Sequence, residues 1–299
     1  MTFYRFKTFK STYYFPPLTP DSRFIYSLYG NYGGRLARLL WWLFLHISLF
    51  RSLFHVREKE IEGMSLLRSL LGDNVIFGVN MGTIGPDQKM SVLGYHSTAS
   101  KVTDASKFFA KLAISERAKA LSRNEIKVYQ ALADTGLVPA LYAYQDTDDY
   151  VFLKCECFTG EHVPVDADHD QVMDTLKILK EQHYAGNSAQ TCFAHMDFCP
   201  WNMLSVNGKL RVIDWEMAAE MPLGFDLFTY LLQTSFLIDK TQTGRAVIEK
   251  HRAWIDEYFE GEEWHTYLQK FVDYKVAFFS DGQNPLLYDR YREMQQSMK

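Results

Sequence analysis

Two short stretches carry residue types and spacings that can do chemistry. The first is His195-Met196-Asp197-Phe198-Cys199-Pro200-Trp201-Asn202, with Asp197 and Asn202 five positions apart. The second is Val212-Ile213-Asp214-Trp215-Glu216. Asp197 can take a proton from a hydroxyl. Asn202 and Asp214 offer the oxygen ligands that Mg²⁺ prefers. Between them, Met203 to Val206 reads as a short strand, Asn207-Gly208 as a two-residue turn, and Leu210 to Ile213 as the returning strand. Such a hairpin carries three polar side chains to one end. A loop Asp, a loop Asn and a strand-end Asp are the parts that phosphoryl transfer uses.

This pair of motifs, HMDFCPWN followed by VIDWE, resembles the H-x-D-x-x-x-x-N and I-D-[FWY]-E pair of the aminoglycoside phosphotransferase and choline kinase group. The resemblance implies an α+β, two-lobed protein-kinase-like fold, with an antiparallel-sheet N-lobe and a mainly helical C-lobe. It implies ATP and Mg²⁺ as cofactors and a small-molecule hydroxyl as acceptor. Asp197 is then the catalytic residue, Asn202 and Asp214 the metal ligands, and His195, Glu216 and Asp226 their supports. Protein kinases usually carry Arg after the His and Phe-Gly after the second Asp. Met196 and Trp215-Glu216 stand there in this chain, which favours the small-molecule branch. Met196 departs from that branch too, where Gly is common.

Upstream elements must hold the nucleotide. Val75 to Gly85 and Lys89 to Tyr95 read as two strands joined at Pro86-Asp87. They resemble the first N-lobe hairpin, with Gly82 and Gly85 able to let backbone amides approach phosphates. Gly78, Gly82 and Gly85 do not form G-x-G-x-x-G, and glycines in strand patterns also mark bulges. Ser106 to Ile114 reads as a third strand with Lys107, Phe109 and Lys111 on one face. Lys111 matches the family's nucleotide lysine, and Lys107 shares its parity. A solvent-facing strand lysine is the plain alternative. A helix follows, with Ser115 as N-cap and Glu125 matching the glutamate that pairs with the strand lysine. It ends at Asp134-Thr135-Gly136, and a new strand is expected from Leu137-Val138-Pro139. Tyr150 to Gly160 resembles the last N-lobe strand and hinge, which marks Glu156, Cys157 and Phe158 for adenine contact.

A helix is expected over Gln171 to His183, with His183 in a structural rather than catalytic role. Asp226 is placed to cap a helix starting at Leu227. Aromatic residues recur through the C-terminal third, from Trp254 to Phe279, at a spacing that suits a core. In the resembled family these helices wall the acceptor pocket.

At 299 residues and 47% hydrophobic content the chain can bury a full core. The expected domains are an N-terminal extension over residues 1–70, an N-lobe over 71–158 and a C-lobe over 159–299. Residues 1–60 hold nine Lys/Arg and three Asp/Glu, so a head of +6 sits on a body of -10. That acidic body argues against a nucleic-acid partner. The prolines at 16, 17 and 20 suggest an extended arm before the first helix. In that helix Arg35, Arg38, Trp42 and His46 form one stripe, with apolar faces around it. The uncharged run Leu39 to Phe50 is shorter than the ~20 residues of a spanning helix. Residues 35–54 can therefore pack on the domain, lie peripherally on a membrane, or join subunits. Four cysteines and no secretory leader pattern suit a cytoplasmic protein, extending to the inner face of a membrane under the second reading. Their spacing fits no common zinc pattern. A sugar or an envelope saccharide suits the head better than an aminoglycoside, whose cations need an acidic pocket. A pseudokinase scaffold and, third, a protein kinase are the competing classes.

Overall fold

The computed structural model describes residues 2–30, 34–97, 102–164, 169–182, 190–282 and 284–298. His183, expected at a helix end, lies outside them. Two compact units divide the chain. One takes residues 1–126 and 140–157, the other 127–139 and 158–299.

The first unit is built on one antiparallel sheet. In chain order its strands are β1 (Thr2–Lys7), β2 (Thr12–Phe15), β3 (His55–Arg57), β4 (Val75–Asn80), β5 (Lys89–His96), β6 (Lys107–Ala113), β7 (Leu141–Asp146) and β8 (Val151–Glu156). Their spatial order is β3-β1-β2-β4-β5-β6-β8-β7. The expectation of a separate extension over 1–70 is corrected here, as is the extended arm. Period-two alternation explains it. In β1, Phe3 enters one core while Tyr4 and Phe6 pack against another. In β2, Tyr14 goes to the first core and Tyr13 and Phe15 to the second. The prolines fall after β2, where they end the pairing rather than prevent it.

The first core joins Val75, Phe77, Val79, Val92, Phe108, Ala110, Leu112 and Phe152 to α3 (Met64–Leu71), through Met64, Leu67 and Leu71. The second is almost wholly aromatic. Trp41 and Phe44 of the helix α1 (Arg35–His46) meet Phe15, Tyr26 and Tyr29. Phe6 lies edge-on to Trp41 at 4.9 Å between ring centroids and tilted to Phe44 at 5.2 Å. One side of α1 therefore packs on the sheet. A second short helix, α2 (Ser48–Ser52), follows it, and α4 (Glu116–Ala131) comes after β6. Ser115 caps α4, its Oγ accepting from the Ala118 amide at 3.3 Å. The strand expected from Leu137 begins instead at Leu141, two residues beyond Pro139, which has no N–H for a ladder.

The second unit carries the hairpin. Strands β9 (Glu161–His162), β11 (Met203–Val206) and β12 (Lys209–Val212) form one sheet; β10 (Thr191–Ala194) pairs with β13 (Ala219–Pro222). Asn207 and Gly208 have φ of 53° and 74°, the left-handed pair that a two-residue hairpin needs. Helices α5 (His169–Glu181), α6 (Phe225–Phe228), α7 (Thr234–Ile238), α8 (Gly244–Lys250), α9 (Arg252–Phe259), α10 (His265–Phe278) and α11 (Pro285–Ser297) complete it. A π-helical turn, Thr229–Gln233, links α6 to α7. Tyr258, Phe259, Trp264, Phe271 and Phe279 are buried; Phe278 is exposed. Among the described residues, no helix is long and apolar enough to cross a membrane.

Phe44 is fully buried among rings. Phe44→Ala is expected to cost about 3–5 kcal/mol, read as a lower midpoint in chemical denaturation of the whole chain. An unchanged midpoint would show that α1 adds nothing to the fold.

Candidate active site

His195 to Asn202 leaves β10 and turns into a short 3₁₀ segment, Pro200–Asn202, that feeds β11. The turn is sharp because Met196 adopts φ 73°, left-handed backbone that costs a non-glycine residue free energy. This accounts for glycine being the common residue in the resembled motif. Two groups hold the strained residue. The Asp226 carboxylate accepts from the Met196 amide at 3.0 Å and from the His195 amide at 2.6 Å. On the other side, the Lys275 ammonium donates to the Met196 carbonyl at 3.2 Å.

Asp226 therefore differs from its expected capping role. Gly224 takes the N-cap position of α6, and the Asp226 side chain turns to the loop instead. Burial pushes its carboxyl above the usual range, while His195, the two amides and Lys275 oppose the rise. His195 is fully buried. Its Nδ1 accepts from the Asp197 amide at 3.2 Å, and its Nε2 lies 2.9 Å from the Ile213 carbonyl, so one ring nitrogen accepts and the other donates. The ring thus ties the Asp197 loop to the residue preceding Asp214.

The Asp197 carboxylate faces three donors. Asn202 Nδ2 donates to Oδ2 at 2.8 Å, Trp201 Nε1 reaches Oδ2 at 3.4 Å, and Gln233 Nε2 donates to Oδ1 at 2.6 Å. Asn202 Nδ2 also donates to the Asp197 carbonyl at 2.9 Å. With both amide hydrogens engaged, Asn202 Oδ1 is the atom left to face a cation. The Ile213 amide donates to the Asn202 carbonyl at 2.9 Å, which puts Asp214 beside Asn202 at the open end of the hairpin. Asp214 is exposed and has φ 69°. A carboxylate and an amide oxygen suit Mg²⁺, which takes hard oxygen ligands and keeps waters besides. Among the described residues, no group of three or more His, Cys, Asp or Glu side chains is arranged to hold a metal ion. Glu216 lies half-buried in the 3₁₀ turn Trp215–Met217, after the Trp215 indole that donates to the Val212 carbonyl at 2.8 Å.

In the other unit, Lys111 and Glu125 pair. The ammonium lies 2.9 Å from each Glu125 carboxylate oxygen, and both side chains are buried. Lys107 binds Asp104 instead, at 2.8 Å, which separates two lysines that strand parity could not. Breaking a buried pair leaves a lone charge, so this one is costly to disrupt. Gly82, at φ 75°, closes the β4–β5 loop; a Cβ there would stand 2.4 Å from the Lys89 carbonyl oxygen. A Cβ at Gly85 would meet nothing. Glu156 ends β8, its amide donating to Ala140 O at 2.8 Å, and Cys157 follows it. Phe158, the first residue of its segment in the second unit, lies under the Arg211 guanidinium at 5.7 Å. Cys155, Cys192 and Cys199 are buried free thiols. Burial pushes Cys157 up to about 11 and Cys192 up to about 12, so neither is a ready nucleophile.

The sequence reading missed Gln233 and Lys275. Each is a long polar side chain in a mainly apolar or aromatic helical run, FTYLLQTSF and DYKVAFF. Their meeting required a π-turn, which rotates Gln233 toward Asp197, and π-turns often occur at functional sites.

The fold is the two-lobed protein-kinase-like fold. The amicoumacin kinase hAmiN, solved with AMP-PNP, Ca²⁺ and its substrate, superposes with a TM-score of 0.53 at 10% identity, covering 80% of this chain and 95% of that one. Two further structures overlap more loosely. Choline kinase LicA from Streptococcus pneumoniae gives a TM-score of 0.47 at 15% identity, over 77% of this chain and 89% of that one. An aminoglycoside-3'-phosphotransferase of type VIII gives 0.49 at 13%, over 76% and 98%. Residues 156–266 match the model of the phosphotransferase enzyme family, a span that contains both motifs. The resemblance carried by HMDFCPWN and VIDWE is thus to the family that the match names, and at that level it supports a small-molecule phosphotransferase. No curated protein sequence matches the chain.

Lys275 supplies a pH test of this geometry. Burial lowers its ammonium to about 8 against an ordinary 10.5, with the charges of Cys199, Asp197 and Asp226 opposing the fall. Between those values the unfolded chain holds a proton that the folded chain does not, so the lysine's contribution to stability rises with pH. Relative to Lys275→Met, the native chain should gain up to about 3 kcal/mol from pH 8 to 10.5, measured by urea unfolding at each pH. A constant difference would place the ammonium in solvent.

Proposed function

We propose that the chain is an ATP- and Mg²⁺-dependent phosphotransferase that moves the γ-phosphoryl group to a hydroxyl of a small molecule, a sugar or envelope saccharide. The observation that carries this reading is the Asp197 carboxylate, oriented by Asn202, Trp201 and Gln233 at the end of the hairpin that also presents Asp214. Asp197 orients the acceptor hydroxyl and takes its proton. The hydroxyl oxygen forms the new bond to phosphorus as the bond to the bridging oxygen of ADP breaks. Asn202 and Asp214 are the residues that would hold Mg²⁺, which supplies neutralisation of phosphate charge when bound. Lys111, fixed by Glu125, would position the nucleotide phosphates, with Gly82 and Gly85 in the loop that covers them. Glu156, Cys157 and Phe158 would line the adenine side. The nucleotide and divalent ion in the amicoumacin kinase structure are consistent with this assignment.

Asp197→Asn keeps the side chain's size and removes its basicity. Turnover should fall about 10²- to 10⁴-fold, while ATP still raises the melting temperature in the presence of Mg²⁺. Screening ATP consumption against sugars, amino alcohols and nucleosides supplies the acceptor. Loss of the Mg²⁺-ATP shift along with turnover would remove Asp197 from the base role. A native chain that binds Mg²⁺-ATP and transfers to nothing would favour the pseudokinase.

A second observation favours peripheral membrane contact through residues 35–54, which we propose for the inner face of an anionic membrane. With Trp41 and Phe44 turned to the core, Leu36, Leu39 and Trp42 stay 69%, 53% and 52% exposed, and Leu49 and Leu53 more so. Arg35 and Arg38 stand exposed beside them, and no Asp or Glu occurs from Ser22 through Arg57. An apolar ridge flanked by arginines suits acyl chains below phosphates. The chain should sediment with phosphatidylserine-containing vesicles and not with pure phosphatidylcholine, less so at high salt. Leu36→Glu with Leu39→Glu should abolish this without lowering the melting temperature. Equal failure on both vesicle types would leave the ridge to another partner.

A further inference from the structure

A buried cation, Lys275, stands beside the catalytic loop with no part in the chemistry proposed above. Lys275 lies on α10 with 3% of its surface exposed. Among the described residues its ammonium forms no ion pair. It is walled by Phe225, Phe271 and Phe279, whose ring centroids lie 5.1, 5.5 and 6.0 Å from Nζ. A lone charge in such surroundings is costly, and a leucine or methionine would fill the space without that cost. Its two hydrogen-bond acceptors show where it acts. One is the Met196 carbonyl, the strained residue before Asp197, at 3.2 Å. The other is Gln233 Oε1 at 3.1 Å.

The second contact has a directional consequence. An ammonium only donates, so the amide of Gln233 must turn its oxygen to Lys275. Its NH₂ group is then forced toward Asp197 Oδ1 at 2.6 Å, and Cys199 Sγ at 3.5 Å. Reversing the amide would set NH₂ against ammonium and oxygen against carboxylate, two repulsions in place of two bonds. We propose that Lys275 and Gln233 are positioning residues of the catalytic loop: the lysine fixes the facing of the amide, and the amide holds the Asp197 carboxylate where it can take the acceptor's proton. The inference rests on the phosphotransferase reading above. Lys275 does this from two directions, since it also holds the carbonyl of the turn that projects Asp197. Against burial, its charge is favoured by the nearby Asp197 and Asp226 carboxylates and by the last turn of α10, where carbonyls face a cation favourably.

The test uses the full chain and three variants, Lys275→Met, Gln233→Leu and the double change. Lys275→Met removes the charge and keeps the apolar bulk. Its melting temperature should stay level or rise, and its affinity for a non-hydrolysable ATP analogue with Mg²⁺ should stay within about twofold, the phosphate contacts being elsewhere. Its kcat should fall about 10- to 100-fold, the scale of a misplaced catalytic group. Gln233→Leu should fall similarly. The double variant should be no slower than the slower single one, because both act through one chain of contacts. A merely structural lysine would lose melting temperature and turnover together. Should Lys275→Met not fold, Gln233→Leu carries the same expectation. Native turnover that survives in a folded Lys275→Met, or losses that multiply in the double variant, would overturn the positioning role alone. A native chain that turns over no ATP with Mg²⁺ and any hydroxyl acceptor overturns the phosphotransferase reading, and this inference with it.

Discussion

The constraint on which the site depends is the left-handed backbone at Met196. A non-glycine residue held there stores strain, and it persists only where its surroundings over-determine it. Here the amide is bound by Asp226 and the carbonyl by Lys275, both buried. With the turn pinned at both ends, Asp197 leaves it in one direction, and His195 beneath it ties the same loop to Ile213. Loss of either clamp would loosen the direction in which Asp197 leaves the turn. The groups around Met196 and Asp197 are therefore a connected hydrogen-bonded set, which suits a side chain that must be placed to within a fraction of an ångström.

The hairpin applies the same logic with less expense. Asn207 and Gly208 take the positive φ values that the turn requires, and the β11–β12 register then brings Asn202 and Ile213 to one end. Asn202 serves two purposes: its amide hydrogens hold Asp197, and its oxygen remains for a cation. In the other unit, two cores on alternate residues of the same strands hold the sheet, and the Lys111–Glu125 pair spans from β6 to α4. An aromatic core joins the N-terminal strands to α1, so the basic head is part of this sheet and shares its stability.

Much of this was legible from residue order. The Asn-Gly turn between two short apolar runs is a local signal, and the structure has the hairpin where that signal places it. Ser115 caps α4 as its position suggests. The strands of residues 2–15 were legible in principle, through alternating aromatics, but three prolines nearby drew the reading toward an arm. Asp226 was expected both to cap a helix and to support the catalytic loop; the local cap is not made, and its carboxylate instead holds loop amides 30 and 31 residues away.

The sequence by itself determined the motif pair, the hairpin and the chemistry these can support, since spacing over a few residues decides turns and strands. Tertiary structure alone decided which of Lys107 and Lys111 meets Glu125: both share strand parity, and only the packing of α4 on the sheet distinguishes them. It alone decided that part of α1 is buried against aromatics while the ridge at Leu36 and Leu39 is not. It alone brought Gln233 and Lys275, 42 residues apart, to Asp197. A polar residue in an apolar helix declares that a partner must exist, because burying it unpaired is costly. The partner is named only when the helices pack.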